Sequence, residues 1–207
     1  MISLLHKLAA YPAIHDLTQW LAGSTLSEGI LRNEFAGLPV GTTLLDVGGG
    51  TGRLRPLVPT TWKYTCVDLD PQKLQGFRKK FPHDRAIEAS ATNLPFPNQS
   101  FDAALLCAVS HHLTDEEFAK TLGEIFRILK PEGRLLFLDA LRTPGRLRSR
   151  FLWSVDRGGH PRTLGEMQNT VLRQFRIVRE RQYQIHHCYV LWTLQKSFQT
   201  PVPTSTQ

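Results

Sequence analysis

Four glycines in a row of five positions, Gly48, Gly49, Gly50 and Gly52, follow directly on the apolar run Leu44-Leu45-Asp46-Val47. Without a Cβ at these positions a ligand can rest directly on the backbone. Asp46 stands just before the loop. Asp68 ends the next apolar run, Tyr64-Thr65-Cys66-Val67-Asp68-Leu69, and is placed to accept hydrogen bonds from a ribose diol. Further on, His111 and His112 close a third apolar run, and an imidazole at the end of a strand can move protons near neutral pH. No His, Cys or Asp spacing suggests a metal site. Nucleoside binding and proton transfer are therefore the chemistry that the residues offer.

The glycine spacing restricts the nucleoside. A dinucleotide fingerprint needs Gly-x-Gly-x-x-Gly, but from Gly48 and Gly50 the third glycine falls one residue early, at Gly52, and Arg53 takes its place. No Gly-Lys-Ser/Thr follows the loop, which excludes the Walker pattern. The carboxylate of Asp46 would repel a pyrophosphate but tolerate an ammonium group. Taken together, Asp46-x-Gly48-x-Gly50-x-Gly52 resembles motif I of the class I S-adenosylmethionine (SAM)-dependent methyltransferases.

The resemblance extends through residues 42–141 and, in outline, 163–196. Ala91-Thr92-Asn93-Leu94-Pro95-Phe96-Pro97 is similar to the family segment in which an acid receives the adenine amino group and the next amide meets a ring nitrogen. By position those roles fall on Ser90 and Ala91. Ser90 departs from the pattern, and a neutral hydroxyl contributes only on the order of 1 kcal/mol; a serine that simply ends the strand is the plainer alternative. The resemblance further implies cofactor contacts from Leu69 and Cys107, with Leu94 and Phe96 either covering the adenine or belonging to the core. His-His-Leu at 111–113 is similar to the turn of the small-molecule branch that includes the quinone-biosynthesis C-methyltransferases, and it makes His111 or His112 the candidate general base. His160, near the basic segment, is a further candidate for reaching the acceptor.

Positioning these residues takes an alternation of strands and helices. Strands are expected at 42–47, 63–69, 85–90, 103–109, 134–140, 175–184 and 187–195. A short helix is expected at 52–58, and another from the Asp70 cap and Pro71 to about Phe81. The capping box Thr114-Asp115-Glu116-Glu117 opens a long amphipathic helix to Lys130, ended by Pro131 with Gly133 in the turn, and Thr163 to Glu166 opens another to about Arg173. The resemblance implies a Rossmann-like, mostly parallel seven-stranded α/β sheet with helices on both faces, in the order 3-2-1-4-5-7-6 with strand 7 antiparallel.

Residues 1–40 read as helices, two pieces over 2–21 broken at Pro12 and then one from Thr25 to Glu34; the resemblance implies a helical cap over the pocket, and core packing alone would equally explain their apolar stripe. Tyr11 and Trp20 are the cap residues placed to face a ligand. Residues 41–196 form the methyltransferase-like domain, and 197–207 a disordered tail. Within the domain, 142–162 interleaves Arg142, Arg146, Arg148, Arg150 and Arg157 with Leu147, Phe151, Leu152, Trp153 and Val155. Such a stretch is a lid, or an element lying on an anionic membrane surface.

At 207 residues with 41% hydrophobic and 21% charged side chains, the chain can bury one full core. Cys66, Cys107 and Cys188 lie in apolar runs, as buried thiols of a reducing compartment would. No apolar run reaches the length of a membrane span, and Met1-Ile2-Ser3-Leu4-Leu5 lacks a basic leader region. A soluble cytoplasmic protein is the expectation. The net charge of +7 arises entirely after residue 130, where twelve Lys/Arg face five Asp/Glu. That asymmetry is either a solvated face or a site for an anionic partner.

The reading that unites these features is a SAM-dependent methyltransferase producing S-adenosyl-L-homocysteine (SAH). Its acceptor would be a small, apolar, quinone-, tetrapyrrole- or lipid-like molecule. An RNA-acting enzyme using the basic third ranks behind it, since neither an Asn/Asp-Pro-Pro-aromatic turn nor a Pro-Cys nucleophile follows strand four. A SAM-binding protein without turnover is the third reading.

Overall fold

The computed structural model describes residues 24–145, 153, 158–185 and 187–197. The expected helices over 2–21 with Tyr11 and Trp20, most of the basic stretch, His186 and the 198–207 tail lie outside the described residues. A single seven-stranded sheet runs β1 (Thr43–Val47), β2 (Lys63–Asp68), β3 (Arg85–Glu88), β4 (Phe101–Cys107), β5 (Leu129–Leu141), β6 (Phe175–Gln184) and β7 (Cys188–Lys196). Its order is β3-β2-β1-β4-β5-β7-β6, with β7 antiparallel to β5 and to β6 and the other pairs parallel. The helices are α1 (Ser24–Ala36), α2 (Pro71–Lys80), α3 (Asp115–Ile128) and α4 (Leu164–Val171).

The central strands read as unbroken apolar runs because both faces of the sheet are covered. On one face, Leu31 and Phe35 of α1 and Leu74 and Phe77 of α2 pack with Leu44, Tyr64, Cys66, Ala103 and Leu105. On the other, Phe118, Leu122, Ile125 and Ile128 of α3 and Met167 and Val171 of α4 pack with Leu45, Val67, Ala104, Leu106 and Trp192. Leu94 and Phe96 belong to this second core and are buried. Removing one such fully buried aliphatic side chain costs about 2–5 kcal/mol, so these layers hold the strand ends in place.

Local rules set the helix starts. The Asp70 carboxylate accepts from the amides of Gln72 and Lys73 with Pro71 at the first position, and Thr114 with Glu117 and Thr163 with Glu166 form complete capping boxes. Two expectations need correction. The helix expected after Gly52 is only a 3₁₀ turn, Arg55–Leu57, with Pro56 inside it and Pro59 just beyond it. Nor does a turn at Gly133 separate α3 from β5: the strand begins at Leu129, opposite Phe101, and its register jumps so that Arg134 faces Ala103. Residues 130–133 bulge out of the ladder, and the Lys130–Asp102 ion pair (2.6 Å) ties the bulge to β4.

α1 is held by a buried acid. Glu34, with a side chain only 3% exposed, accepts from Arg179 (3.2 and 3.3 Å) and Arg181 (3.3 Å) of β6 and from Thr193 (2.8 Å) of β7. Tyr183 donates to Ser27 (2.8 Å), and Glu28 pairs with Arg53 (3.2 Å) just past the glycine loop. The helix therefore lies from the β6–β7 edge to the loop.

The loop is locked by sterics. Gly48, Gly50 and Gly52 all have positive φ. A Cβ on Gly52 would stand 2.5 Å from the Phe77 ring, and one on Gly48 2.5 Å from Val109. Below the loop, Asp46 is buried and accepts from the Tyr64 hydroxyl, joining β1 to β2. Burial raises its carboxyl from an ordinary 3.8 to about 6; the Tyr64 bond and Arg53 oppose that rise, and Asp68 adds to it.

Two outcomes follow. Gly52→Ala combines a left-handed backbone with an overpacked core and should cost about 3 kcal/mol in urea unfolding. For Asp46 the folded chain keeps its proton to higher pH than the unfolded chain does, so its contribution to stability is full below about pH 4 and is lost as pH rises through 6. Asp46→Asn, which can still accept from Tyr64, should then exceed the parent by about 2 kcal/mol at about pH 8, with the gap closing near pH 4. Denaturation curves at the two pH values check it.

Candidate active site

The carboxyl ends of β1, β2, β4 and β5 converge on one rim of the sheet, where open α/β sheets bind ligands. On this rim the first two loop amides, Gly48 and Gly49, donate to Val67 O at 2.7 and 3.1 Å. The third, Gly50, donates to Asp68 Oδ2 at 2.9 Å. Asp68 Oδ1 accepts from the Asp70 amide, also at 2.9 Å. Each oxygen retains acceptor capacity, since an ionised carboxylate offers about four lone-pair sites. Leu69 stands beside it, 68% exposed, an apolar side chain turned outward at the tip of β2.

Ser90 and Ala91 follow β3, both half-buried. The Ser90 hydroxyl is engaged locally, lying 2.8 Å from the Thr92 hydroxyl and accepting from the Thr92 amide at 3.2 Å. Cys107 ends β4, where burial pushes its thiol up to about 12, so it is no thiolate at neutral pH. Asp46 lies beneath the loop, engaged with Tyr64 as described above. Loop, Asp68, Leu69 and Cys107 thus share the rim, with Ser90 and Ala91 at the end of the neighbouring strand.

The two histidines separate. After Cys107 the chain turns through Ala108, whose positive φ (55°) is a strained conformation for a residue with a Cβ. The 3₁₀ turn Ser110–His112 follows. His111 is 6% exposed, with Nδ1 2.7 Å from Asp139 Oδ1, while His112 is exposed with its ring centroid 4.2 Å from that of His111. Asp139 is 1% exposed, and its Oδ2 accepts from the amide (2.9 Å) and hydroxyl (2.5 Å) of Ser110, while Oδ1 accepts from the Ala140 amide. Burial alone would raise the Asp139 carboxyl; the His111 imidazole and the bonds from His111, Ser110 and Ala140 outweigh it and hold the carboxyl below its ordinary value. An ionised Asp139 places the His111 proton on Nδ1 and the basic lone pair on Nε2.

Aromatic rings continue this wall. Trp153 lies 5.6 Å from the His111 ring and 4.7 Å from that of His187, and Tyr189 stacks on Tyr183 at 5.4 Å. His160 reaches the same turn through its backbone, its amide donating to His111 O at 3.0 Å, and its side chain is exposed. A cleft of about 400 Å³ lined by Asp115, His160, Arg162, Glu166 and Arg173 lies behind the histidine turn, between α3 and α4, rather than over the glycine loop.

Three residues of this site escape the sequence patterns. Asp139 left one trace, an acid interrupting the apolar run Leu135 to Leu141. Arg162, which clamps the histidine turn, and Glu34, which docks α1, left none, because their partners lie 47–52 and 145–159 residues away. Among the described residues no cluster of three potential metal ligands occurs, and no helix is long and apolar enough to cross a membrane.

Comparison with known proteins agrees with this geometry. Residues 45–137 match the family model of a methyltransferase domain. The ubiquinone/menaquinone biosynthesis C-methyltransferase UbiE of Enterobacter sp. (strain 638) is 33% identical over 153 residues, 66% of this chain and 57% of that protein. UbiE of Escherichia coli O1:K1 / APEC is 35% identical over 114 residues, 50% of this chain and 45% of that one. The chain thus spans about half the length of the curated relatives it matches. Among solved structures, a SAM-dependent methyltransferase from Aquifex aeolicus superposes with a TM-score of 0.65 at 20% identity, over 94% of this chain and 98% of that one. One from Methanosarcina mazei gives 0.68 at 17%, over 76% and 94%. Residues 45–137, which hold the glycine loop and the acid tied to it at the end of the second strand, thus match a methyltransferase domain on a sheet of this order.

Proposed function

We propose that the chain is a SAM-dependent methyltransferase that alkylates a small-molecule acceptor with an apolar, quinone-, tetrapyrrole- or lipid-like body. The observation that carries the reading is Asp68: a carboxylate at the rim, bonded to a glycine-rich loop and next to an outward-turned Leu69. The residues present suit a phosphate-free nucleoside, since the first two loop amides are spent on Val67 rather than gathered for an anion. Similarity to UbiE proteins over the domain supports the quinone-like end of the acceptor range.

In this reading Asp68 takes the ribose diol and Leu69 lies against the adenine. The Ala91 amide and the Ser90 hydroxyl meet the base edge, and Gly48, Gly49, Gly50 and Gly52 let the backbone approach, with Cys107 lining the floor. Asp46 acts from below, through Tyr64, to hold β1 and β2 in register under the loop. The cofactor, when bound, supplies an electrophilic methyl on a sulfonium and a neutral thioether leaving group. What remains for the protein is to align the acceptor and exclude water, which can supply roughly 7–11 kcal/mol of the barrier. His111 then takes the proton of the acceptor nucleophile on Nε2, and Asp139 holds the ring and stabilises its charged form. Exposed His112 is less well placed for that role. Trp153, His187 and Tyr189 offer flat apolar faces to the acceptor.

The basic third gives little support to RNA. Arg142 is paired with Glu166, Arg162 with Asp115, and Arg179 and Arg181 with Glu34, so these cations already have partners.

Calorimetry with SAH tests the reading without knowledge of the acceptor. Asp68→Ala removes two charge-assisted bonds and should weaken SAH binding about 100-fold, with unfolding still cooperative. Unchanged affinity, or a wild-type chain that ignores SAH, would overturn it.

A further inference from the structure

The turn that carries His111 is gripped from a second side. Opposite Asp139, the guanidinium of Arg162 donates to Ser110 O at 2.6 Å and to Leu113 O at 2.7 Å, the two ends of the turn. Its Nε and Nη2 also reach Asp115 Oδ1, at 2.8 and 2.7 Å, and the group lies 4.9 Å from the centroid of the Phe118 ring. Between these, the His160 amide donates to His111 O at 3.0 Å. Arg162 is 4% exposed, and a planar fork with fixed donor directions suits the simultaneous capture of two carbonyls and a carboxylate. The Arg162 carbonyl in turn accepts from the Arg142 amide at 2.7 Å. The two ends of the 142–162 stretch are thereby joined to each other and to the histidine turn.

We propose that Arg162 is a positioning residue for the His111 base: its fork fixes the backbone of residues 110–113 so that the imidazole stays on Asp139 with its proton on Nδ1. This rests on the reading of His111 as the base. The turn itself is short. It is a single 3₁₀ turn, its first residue has no side-chain cap, and it leaves β4 through a strained Ala108. Asp139 holds its inner side through Ser110 and His111; without an outer clamp the peptide between Ser110 and Leu113 can rotate, and the ring leaves Asp139 with it. Arg162 therefore links the orientation of the base to the basic 142–162 segment. Among the described residues, the polar or titratable side chains facing the imidazole include Asp139 from β5, His112 from its own turn and Trp153; on the outer side the Arg162 guanidinium and the backbone amide of His160 act on the turn's carbonyls.

The experiment needs no acceptor. In the full ¹⁵N-labelled chain, the imidazole nitrogens report tautomer and titration directly, with His111 assigned by its loss in His111→Gln. Wild type should show His111 in one tautomer, protonated on Nδ1. Arg162→Met should give a mixture and move the titration midpoint by about half a unit or more, while SAH affinity stays within about twofold. Asp115→Asn, at an exposed partner of the fork, should move the same signals in the same direction by less, and it decides the matter if Arg162→Met fails to fold. A wild-type tautomer pattern and midpoint in the folded variants would overturn the proposal. Should wild type fail to bind SAH, the cofactor reading falls, and the imidazole pattern still decides the role of Arg162.

Discussion

The Asp68 carboxylate holds two backbone amides at once, that of Gly50 in the glycine loop and that of Asp70 at the cap of α2. Both the loop's shape and the helix's starting point depend on that one group. A buried carboxylate is tolerated only where hydrogen bonds replace its water, and here the backbone supplies them. Because the loop leans on Asp68 from one side, the other lone pairs remain on the rim side. The same atoms that finish the fold of β2 therefore leave a polar group on the rim with Leu69 as its apolar neighbour, and in the proposed function that group is the anchor for a nucleoside.

A second constraint governs the reacting end. The order of the sheet makes β4 and β5 neighbours, and their parallel register brings Asp139, near the end of β5, beside the turn that leaves β4. Asp139 from within and Arg162 from without turn a short strained connection into a fixed platform for one histidine. α1 is docked by Glu34 on the opposite face and reaches the loop through Glu28 and Arg53. Asp68, the His111 turn and α1 thus all meet the rim formed by the first five strands.

What could be read from the chain follows the range of the interactions. Caps were legible because they act over three or four residues: Asp70 with Pro71, Thr114 with Glu117, Thr163 with Glu166. The glycine loop and Asp68 were legible because their spacing is itself the geometry of a strand, a turn and a strand. Sheet order came through resemblance, and the structure has it. Boundaries suffered where pairing overrode local signals. Pro131 and Gly133 announced a turn, yet Leu129 pairs with Phe101 and leaves them in a bulge. Pro56 within it and Pro59 after it cut the helix expected past Gly52 down to a 3₁₀ turn. Nothing local told His111 from His112. That distinction needs Asp139, 28 residues on, and the clamp from Arg162 needs a fold already formed.

A structure of the chain soaked with SAH tests the central claim most directly. The account predicts the ribose hydroxyls on Asp68, the adenine against Leu69 and the sulfur facing the His111 turn. A nucleoside bound away from Asp68, or a rim that ignores SAH yet takes up a nicotinamide or flavin dinucleotide, would contradict it.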